Sequence, residues 1–184
     1  MDAEGDRRGV RRETVIAPYD PVWPRAFEHE RGRLAAALGA VAQRIEHNGS
    51  TAIPGLAAKL IIDIQISVAR LSPFDAYAQP LVALGYTHVP HPDDDRCPFF
   101  HRPAAWPHTH HVHVVESGGE EERRTLAFRD YLRDHDDLAR EYEALKRALA
   151  GRIGFDAAPA REAYAIAKTE FVERVLARAS AEGY

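Results

Sequence analysis

Asp63 is the one charged residue in the middle of the most apolar stretch of the chain, Leu60 to Ala69. A carboxylate among isoleucines costs free energy unless it is paired with a cation or bound to a metal ion. Isolated carboxylates of this kind are frequently ligands or catalysts, so we predict a functional role for Asp63. The structural alternatives are an ion pair with an Arg or Lys, or a polar sheet face open to solvent.

The loop before this stretch, Gly49–Gly55 ("GSTAIPG"), consists of small residues and one proline. Gly49 permits the close approach of a ligand, while Ser50 and Thr51 offer hydroxyl and backbone N–H groups that suit a phosphate. Lys59, at the end of the loop, could reach the same phosphate with its ammonium group. The structural alternatives are a tight turn and a solvated lysine.

Histidines are concentrated in one segment, and five fall within thirteen residues: His101, His108, His110, His111 and His113. On a strand, His111 and His113 point to the same side, so both could bind one metal ion or one phosphate. His110 points to the opposite side. Neutral imidazoles that hydrogen-bond to their neighbours on a polar sheet face are the structural alternative.

Asp63 and Gln65 also share one side of their strand, because side chains alternate along a strand. We therefore expect these two side chains and the two histidines to meet in one concave site beside the Gly49–Ser50 turn. The predicted metal ligands are Asp63, Gln65, His111 and His113.

Basic residues on the C-terminal helices could line an anionic site from above. Arg129 and Lys168 are the candidates that we select, and Arg133 and Lys146 are further possibilities. Taken singly, each of these residues is also explained by a solvated helix face.

Hydrophobic periodicity predicts a helix, then strands with one interposed helix, then a helical C-terminal region. The first helix begins at Asp20-Pro21 and ends at Gly39. The strand from His110 to Glu116 has the clearest alternation of apolar and polar residues. The other predicted strands cover residues 41–47, 60–68, 86–89 and 97–102, and the interposed helix covers residues 72–84.

Two helices that break near His135–Asp136 are predicted next, and a last helix is predicted from Arg161 to Ala179. This order indicates an α+β fold with a mixed or mostly antiparallel sheet and a helical C-terminal tail. We expect a disordered N-terminal tail over residues 1–14 and a single domain over residues 15–184.

Composition excludes several classes of protein. The net charge of −4 argues against non-specific nucleic-acid binding, which needs a basic face. A single cysteine, Cys97, rules out an internal disulfide and fits a reducing cytosol. Residues 1–13 lack the apolar core of a signal peptide, and the stretch from Leu60 to Ala69 is too short to cross a bilayer. We therefore expect a cytoplasmic protein, bacterial in style, without a membrane partner.

Five segments occur in an order that is typical of one family. They are "YDPVWPRAFEHERGRL", "EHNGSTAIPGLAAKLIIDI", "HHVHVVE", "FRDYLRDHDDLAREYEALKRALA" and "REAYAIAKTEFV". In these segments, which lie within about residues 17–178, the chain resembles the GrpB-like proteins.

The fold of that family is similar to the fold of nucleotidyltransferases of the DNA polymerase beta type. In that superfamily a Gly-Ser pair precedes a strand whose two alternating carboxylates hold two Mg²⁺ ions, which bridge the triphosphate and activate the attacking hydroxyl. Gly49 and Ser50 match the Gly-Ser pair, and Asp63 matches the first acid. Gln65 occupies the place of the second acid.

The neighbouring strand that carries a third acid in the superfamily offers His111 and His113 here, with Glu116 at its end. The resemblance therefore implies a divalent metal, Mg²⁺ or Mn²⁺, and a nucleoside triphosphate (NTP) as substrate. Imidazole ligands would shift the preference toward Zn²⁺ or another transition metal.

GrpB-like domains also resemble the C-terminal extension of some bacterial dephospho-CoA kinases. The kinase chemistry of those chains belongs to a separate P-loop domain. This sequence has no Gly-Lys-Ser/Thr motif before a long helix, so we do not carry the kinase activity over.

Three functions remain open on the sequence. A nucleotidyltransferase would move a nucleoside monophosphate from an NTP to a small acceptor, with Asp63 on the metal and His111 or His113 as co-ligand or general base. A catalytically degenerate domain would bind a nucleotide or metal, or assist folding, without turnover. A metal-dependent hydrolase would use Asp63 with the same two histidines.

Overall fold

The computed structural model describes residues 16–155 and 157–184, so the predicted tail over residues 1–14 lies outside the described residues. Five strands form one sheet, and six α-helices are present in the described ranges. The strands are β1 (Ala42–Asn48), β2 (Ile62–Val68), β3 (Thr87–Val89), β4 (Phe99–Arg102) and β5 (His110–Glu116). The helices are α1 (Val22–Leu38), α2 (Asp75–Ala83), α3 (Glu120–Asp134), α4 (Asp136–Ile153), α5 (Ala158–Ile166) and α6 (Thr169–Ala181).

The sheet has the strand order β1-β2-β5-β4-β3 and mixes two directions. β2 and β5 run parallel, while the other neighbouring pairs run antiparallel. A parallel pair needs a long crossover connection, and α2 with β3 and β4 supplies it here. The predicted α+β class with a mixed sheet is confirmed.

One face of the sheet is apolar and packs under α1 and α2. The isoleucines of β2 at positions 62, 64 and 66 point to this face, and all three are buried with Phe27 and Leu81 from the two helices. The alternation along β2 therefore places its apolar residues as predicted. The predicted start at residue 60 was too early, because Leu60 is 65% exposed and β2 begins at Ile62.

The opposite face carries Asp63, Gln65 and Ser67 on β2. Gln65 and Ser67 are fully buried because α3 covers this end of the face. Asp63 keeps 30% of its side-chain surface accessible. The polar face is therefore closed at one end and open at the other.

The C-terminal helices close the polar face. The predicted break near His135–Asp136 is confirmed, because α3 ends at Asp134 and α4 begins at Asp136. The single last helix predicted from 161 to 179 is wrong, because a turn at residues 167–168 separates α5 from α6. Tyr164 packs in one hydrophobic cluster and Phe171 in another, so the two halves must diverge. No helix of the described ranges is both long and apolar enough to span a bilayer.

Candidate functional site

A cavity of about 700 Å³ lies at the open end of the polar face. Its floor is formed by β2 and β5, and its walls come from the segment before β2, from β4, and from α4, α5 and the turn after α5. Chain segments that are more than one hundred residues apart therefore build the same site. Of the candidates selected from the sequence, Ser50, Lys59, Asp63, His111, His113 and Lys168 line this cavity.

Asp63 and His111 face each other across the parallel pair of strands. Oδ1 of Asp63 lies 3.3 Å from Nδ1 of His111. Burial opposes ionisation of the carboxyl group, but the hydrogen bond from His111 and the positive charges around it hold the pKa of Asp63 below its usual value. Asp63 is thus an ionised carboxylate at the floor of the cavity.

Gly49 packs directly against this carboxylate. Its φ is +66°, and a Cβ atom on Gly49 would lie 2.8 Å from Cβ of Asp63, so any side chain here would displace Asp63. Ser50 begins a 3₁₀ turn, lines the cavity and hydrogen-bonds to Tyr142 of α4. Thr51 is buried and pairs with His47 at 2.9 Å, so its hydroxyl is already engaged.

Lys59, Lys146 and Lys168 all line the cavity, and they are the only three lysines in the sequence. The other 21 basic residues of the Lys and Arg total of 24 are arginines. The ammonium group of Lys59 lies 3.8 Å from the ring centre of Phe155 and 4.0 Å from that of Tyr164. Across the described residues, none of these three lysines forms an ion pair with a carboxylate.

The three ammonium groups are poorly solvated and close to one another. Burial, followed by the positive charge of Lys168, lowers the pKa of both Lys59 and Lys146 to about 7. Burial also lowers the pKa of Lys168, and the charge of Asp63 opposes this change. Lys146 is only 3% exposed, so the interpretation of this residue as part of a solvated helix face was wrong. The site therefore gathers three ammonium groups near Asp63, and none of them is ion-paired with a carboxylate of the described residues.

The histidines divide into two contacts. Nε2 of His111 lies 3.1 Å from Nδ1 of His108, and burial, with the charges of His101 and His111, lowers the pKa of His108 to about 4. Nδ1 of His113 lies 3.6 Å from Sγ of Cys97, and burial lowers the pKa of His113 to about 4. His108 and His113 are therefore neutral at physiological pH.

Cys97 lines the cavity but lacks the environment of a reactive thiol. Burial raises the pKa of Cys97 to about 12, and the acidic residues around it add to this effect. A thiol that remains protonated is a poor nucleophile, so the site does not favour cysteine chemistry.

Gln65 and Arg129 are not brought into the cavity. Gln65 accepts hydrogen bonds from Asn48 and from Thr125 of α3 and is fully buried beneath that helix. Arg129 donates to Glu46 at 2.8 Å and to the carbonyl of His47 at 2.9 Å, so it fastens α3 to β1.

The donor set for a metal ion is correspondingly small. Over the described part of the chain, no three His, Cys, Asp or Glu side chains are grouped as ligands for one ion. Asp63 is the carboxylate beside the lysines, and one of its oxygens already faces His111. These residues do not fit a preformed two-metal centre, but one Mg²⁺ ion needs only one or two carboxylates when substrate phosphates complete its shell.

Among the Lys and Arg residues of the cavity, Arg161 was not considered from the sequence, and Lys146 was named only as a further possibility. Arg161 lies on α5 with its guanidinium carbon 4.4 Å from the ring centre of Trp106. One signal was available for Lys146: a chain that uses arginine almost everywhere has lysine at only three positions. No local pattern indicated that these positions converge.

Fold and cavity together define the class: an α+β protein with one mixed sheet, helices on both faces, and a cation-lined cavity beside the Gly49–Ser50 turn. Residues 13–178 match the family model described as GrpB protein. The chain belongs to the GrpB family.

Several relatives and one solved structure agree with this assignment. The chain is 41% identical over 169 residues to a UPF0157 protein of Pseudomonas aeruginosa, and the match covers 90% of this chain and 67% of that protein. A crystal structure of the conserved protein GrpB from Enterococcus faecalis is 30% identical with a TM-score of 0.78, covering 90% of this chain and 96% of the other. A dephospho-CoA kinase of Mycolicibacterium paratuberculosis is 33% identical over 174 residues, which cover 82% of this chain but 43% of the kinase.

Proposed function

We propose that the cavity binds the phosphate groups of a nucleotide. The observation that carries this proposal is the convergence of the three lysines on one cavity without a carboxylate partner among the described residues. Uncompensated buried cations destabilise a folded protein, so their presence is explained if an anionic ligand neutralises them. Lysine suits this role because its ammonium is a compact point charge.

The rest of the cavity suits the other part of a nucleotide. Its volume of about 700 Å³ falls in the range of small-molecule sites. Phe99, Trp106 and Tyr164 contribute aromatic surface to the walls. Aromatic side chains can stack on any base, because every base has a π-face. A ligand with phosphates at one end and a flat ring at the other therefore matches the lining.

Thermal unfolding with added nucleotide tests this proposal. ATP or GTP at millimolar concentration should raise the melting temperature, because a ligand that binds only the folded state stabilises it by mass action. The Ser50→Ala/Lys59→Ala double variant should lose most of that rise. Arg140→Met is the matched control, since Arg140 is exposed on α4 outside the cavity. No shift with any nucleotide, or an equal shift in the double variant, would contradict the proposal.

Nucleotidyl transfer is a second candidate, and the accessible, ionised Asp63 in the same cavity favours it. Asp63 and the phosphate oxygens of the bound nucleotide would together hold a divalent cation. Such an ion neutralises charge on the triphosphate. The lysines would hold the phosphates, and the acceptor would be a small molecule.

Pyrophosphate release from NTPs with Mg²⁺ or Mn²⁺ separates the two functions. Asp63→Asn should abolish release, while the three lysines still bind the phosphates of the nucleotide. Gln65→Glu should not increase release, because residue 65 is buried beneath α3 rather than at the cavity. Absence of release by the wild-type protein with a range of acceptors would leave binding without turnover as the function.

A further inference from the structure

Asp63, His111 and His108 form a continuous hydrogen-bonded chain along the floor of the cavity. Oδ1 of Asp63 lies 3.3 Å from Nδ1 of His111, and Nε2 of His111 lies 3.1 Å from Nδ1 of His108. All three residues line the cavity. The two contacts use both ring nitrogens of His111. The proton position on His111 therefore couples Asp63 to His108.

When the imidazoles of His111 and His108 are neutral, the ionised carboxylate fixes the direction of every hydrogen bond in this chain. Asp63 can only accept, so Nδ1 of His111 must carry the proton that it donates. In the neutral ring, Nε2 of His111 is then a lone-pair acceptor, and Nδ1 of His108 must donate to it. In the neutral ring of His108, this leaves Nε2 as an acceptor.

His101 holds the ring of His108 in place. Nδ1 of His101 donates to the carbonyl of Pro103 at 2.9 Å, which fixes the His101 ring. The two imidazoles stack with their centres 3.8 Å apart and their planes at 10°. Trp106 contacts His108 edge-on with ring centres 5.0 Å apart. The described residues offer no hydrogen-bond partner to Nε2 of His108.

We propose that Nε2 of His108 accepts a hydrogen bond from a hydroxyl or amino group of the ligand, and that Asp63 sets this acceptor through His111. This inference rests on the proposed nucleotide binding and narrows the ligand. An ionised phosphate oxygen brings a lone pair and no hydrogen, so it is repelled at His108 and directed to the lysines. The ligand is therefore a phosphate ester whose non-phosphate part carries an O–H or N–H donor. His108 determines specificity, and Asp63 is a positioning residue.

The tautomers can be observed in the free protein by long-range ¹H–¹⁵N NMR spectra of the imidazoles. We expect both His108 and His111 to carry the proton on Nδ1 and to show an unprotonated Nε2. The rings are assigned with the His108→Gln and His111→Gln variants. In Asp63→Ala, His111 should shift toward the Nε2-protonated form, and His108 should lose its preference for Nδ1–H. A wild-type His108 with the proton on Nε2 would overturn the inference.

Ligand specificity is tested with two probes. Pyrophosphate has no donor outside its phosphates, whereas ATP carries ribose hydroxyls and an adenine amino group. His108→Phe keeps a ring that can stack on His101 but removes the acceptor. We expect this variant to bind ATP about tenfold more weakly and pyrophosphate as well as the wild type does.

The outcomes distinguish this inference from the proposed function. If the wild-type protein binds neither probe, the proposed nucleotide binding fails, and the ligand class inferred here fails with it. If the wild type binds both probes and His108→Phe binds ATP equally well, only the role of His108 is overturned. An equal loss for both probes would also overturn it, because the phosphate end would then be the part affected.

Discussion

On the α1 side of the sheet, Glu30 is 1% exposed, yet its carboxylate accepts from Tyr86 at 2.9 Å, Arg33 at 2.8 Å and Arg102 at 3.0 Å. On the opposite side, Lys146 is 3% exposed with a backbone carbonyl and an aromatic ring as its neighbours. Glu30 and Lys146 are buried to a similar extent, but only Glu30 has oppositely charged side chains as hydrogen-bond partners. The buried carboxylate of Glu30 is compensated within the fold by its hydrogen-bonded cations, whereas buried ammonium groups that lack an ion-paired carboxylate among the described residues indicate a site for a ligand.

The largest expected effect is on the compensated side. Glu30→Ala removes the carboxylate to which both Tyr86 and Arg102 donate. The two donors then lose this hydrogen bond in a region with little access to water. We expect the free energy of unfolding to fall by about 3 kcal/mol. The loss is smaller than for a fully buried ion pair, because Arg33 and Arg102 are partly exposed to solvent. Urea denaturation measures this change.

Glu28→Ala is the matched control for that experiment. Glu28 lies on the same helix and pairs with Arg31, but both side chains are about half exposed. Its loss should stay within about 0.5 kcal/mol. Equal losses for the Glu28 and Glu30 variants would show that the Glu30 network does not stabilise the fold.

The next effect concerns the contact between Gly49, in the loop before β2, and the side chain of Asp63. Gly49→Ala adds a Cβ that meets Asp63 and strains a positive φ, so we expect a loss of about 2 kcal/mol. Gly55→Ala is the control, because Gly55 has φ +78° with nothing within 4 Å of the added Cβ. The control variant should lose only about 1 kcal/mol of unfolding free energy, which is the cost of placing an alanine at a positive φ. If both variants lose the same amount, Gly49 does not hold the position of Asp63.

The smallest change in stability is expected at the lysines of the cavity, and there it is a gain rather than a loss. Lys59→Met keeps the length of the side chain between Phe155 and Tyr164 and removes the buried charge. We expect a gain of about 1 kcal/mol at pH 7 together with weaker phosphate binding, which is the usual exchange of stability against function. Arg140→Met should change stability by less than about 0.5 kcal/mol. A destabilised Lys59→Met protein would show that Lys59 is structural.

The sequence pattern was sufficient to predict which side chains share a face of a strand. It was not sufficient to predict which of these side chains a helix covers. The alternation along β5 correctly placed His111 and His113 on one face, because parity along a strand depends only on the strand itself. Gln65 has the same parity as Asp63, but α3 lies over it, and this coverage depends on how a helix 55 residues further along the chain packs. The division of the last helix into α5 and α6 carried no Gly or Pro signal. It follows from two separate hydrophobic clusters that only the tertiary structure reveals.

Calorimetric titration of ATP, whose phosphates are already fully ionised at pH 8, tests the central claim most directly when it is done at that pH in two buffers with different ionisation enthalpies. With a pKa of about 7, Lys59 and Lys146 are mostly deprotonated at this pH in the free protein. A bound anion favours their charged forms and raises both pKa values, so binding must take up protons. We predict a net uptake of more than one proton, and affinity that falls as the pH rises above 7. The Lys59→Met/Lys146→Met variant should bind weakly and take up none. Absence of binding by the wild type, or binding without proton uptake that persists in the double variant, would contradict the account.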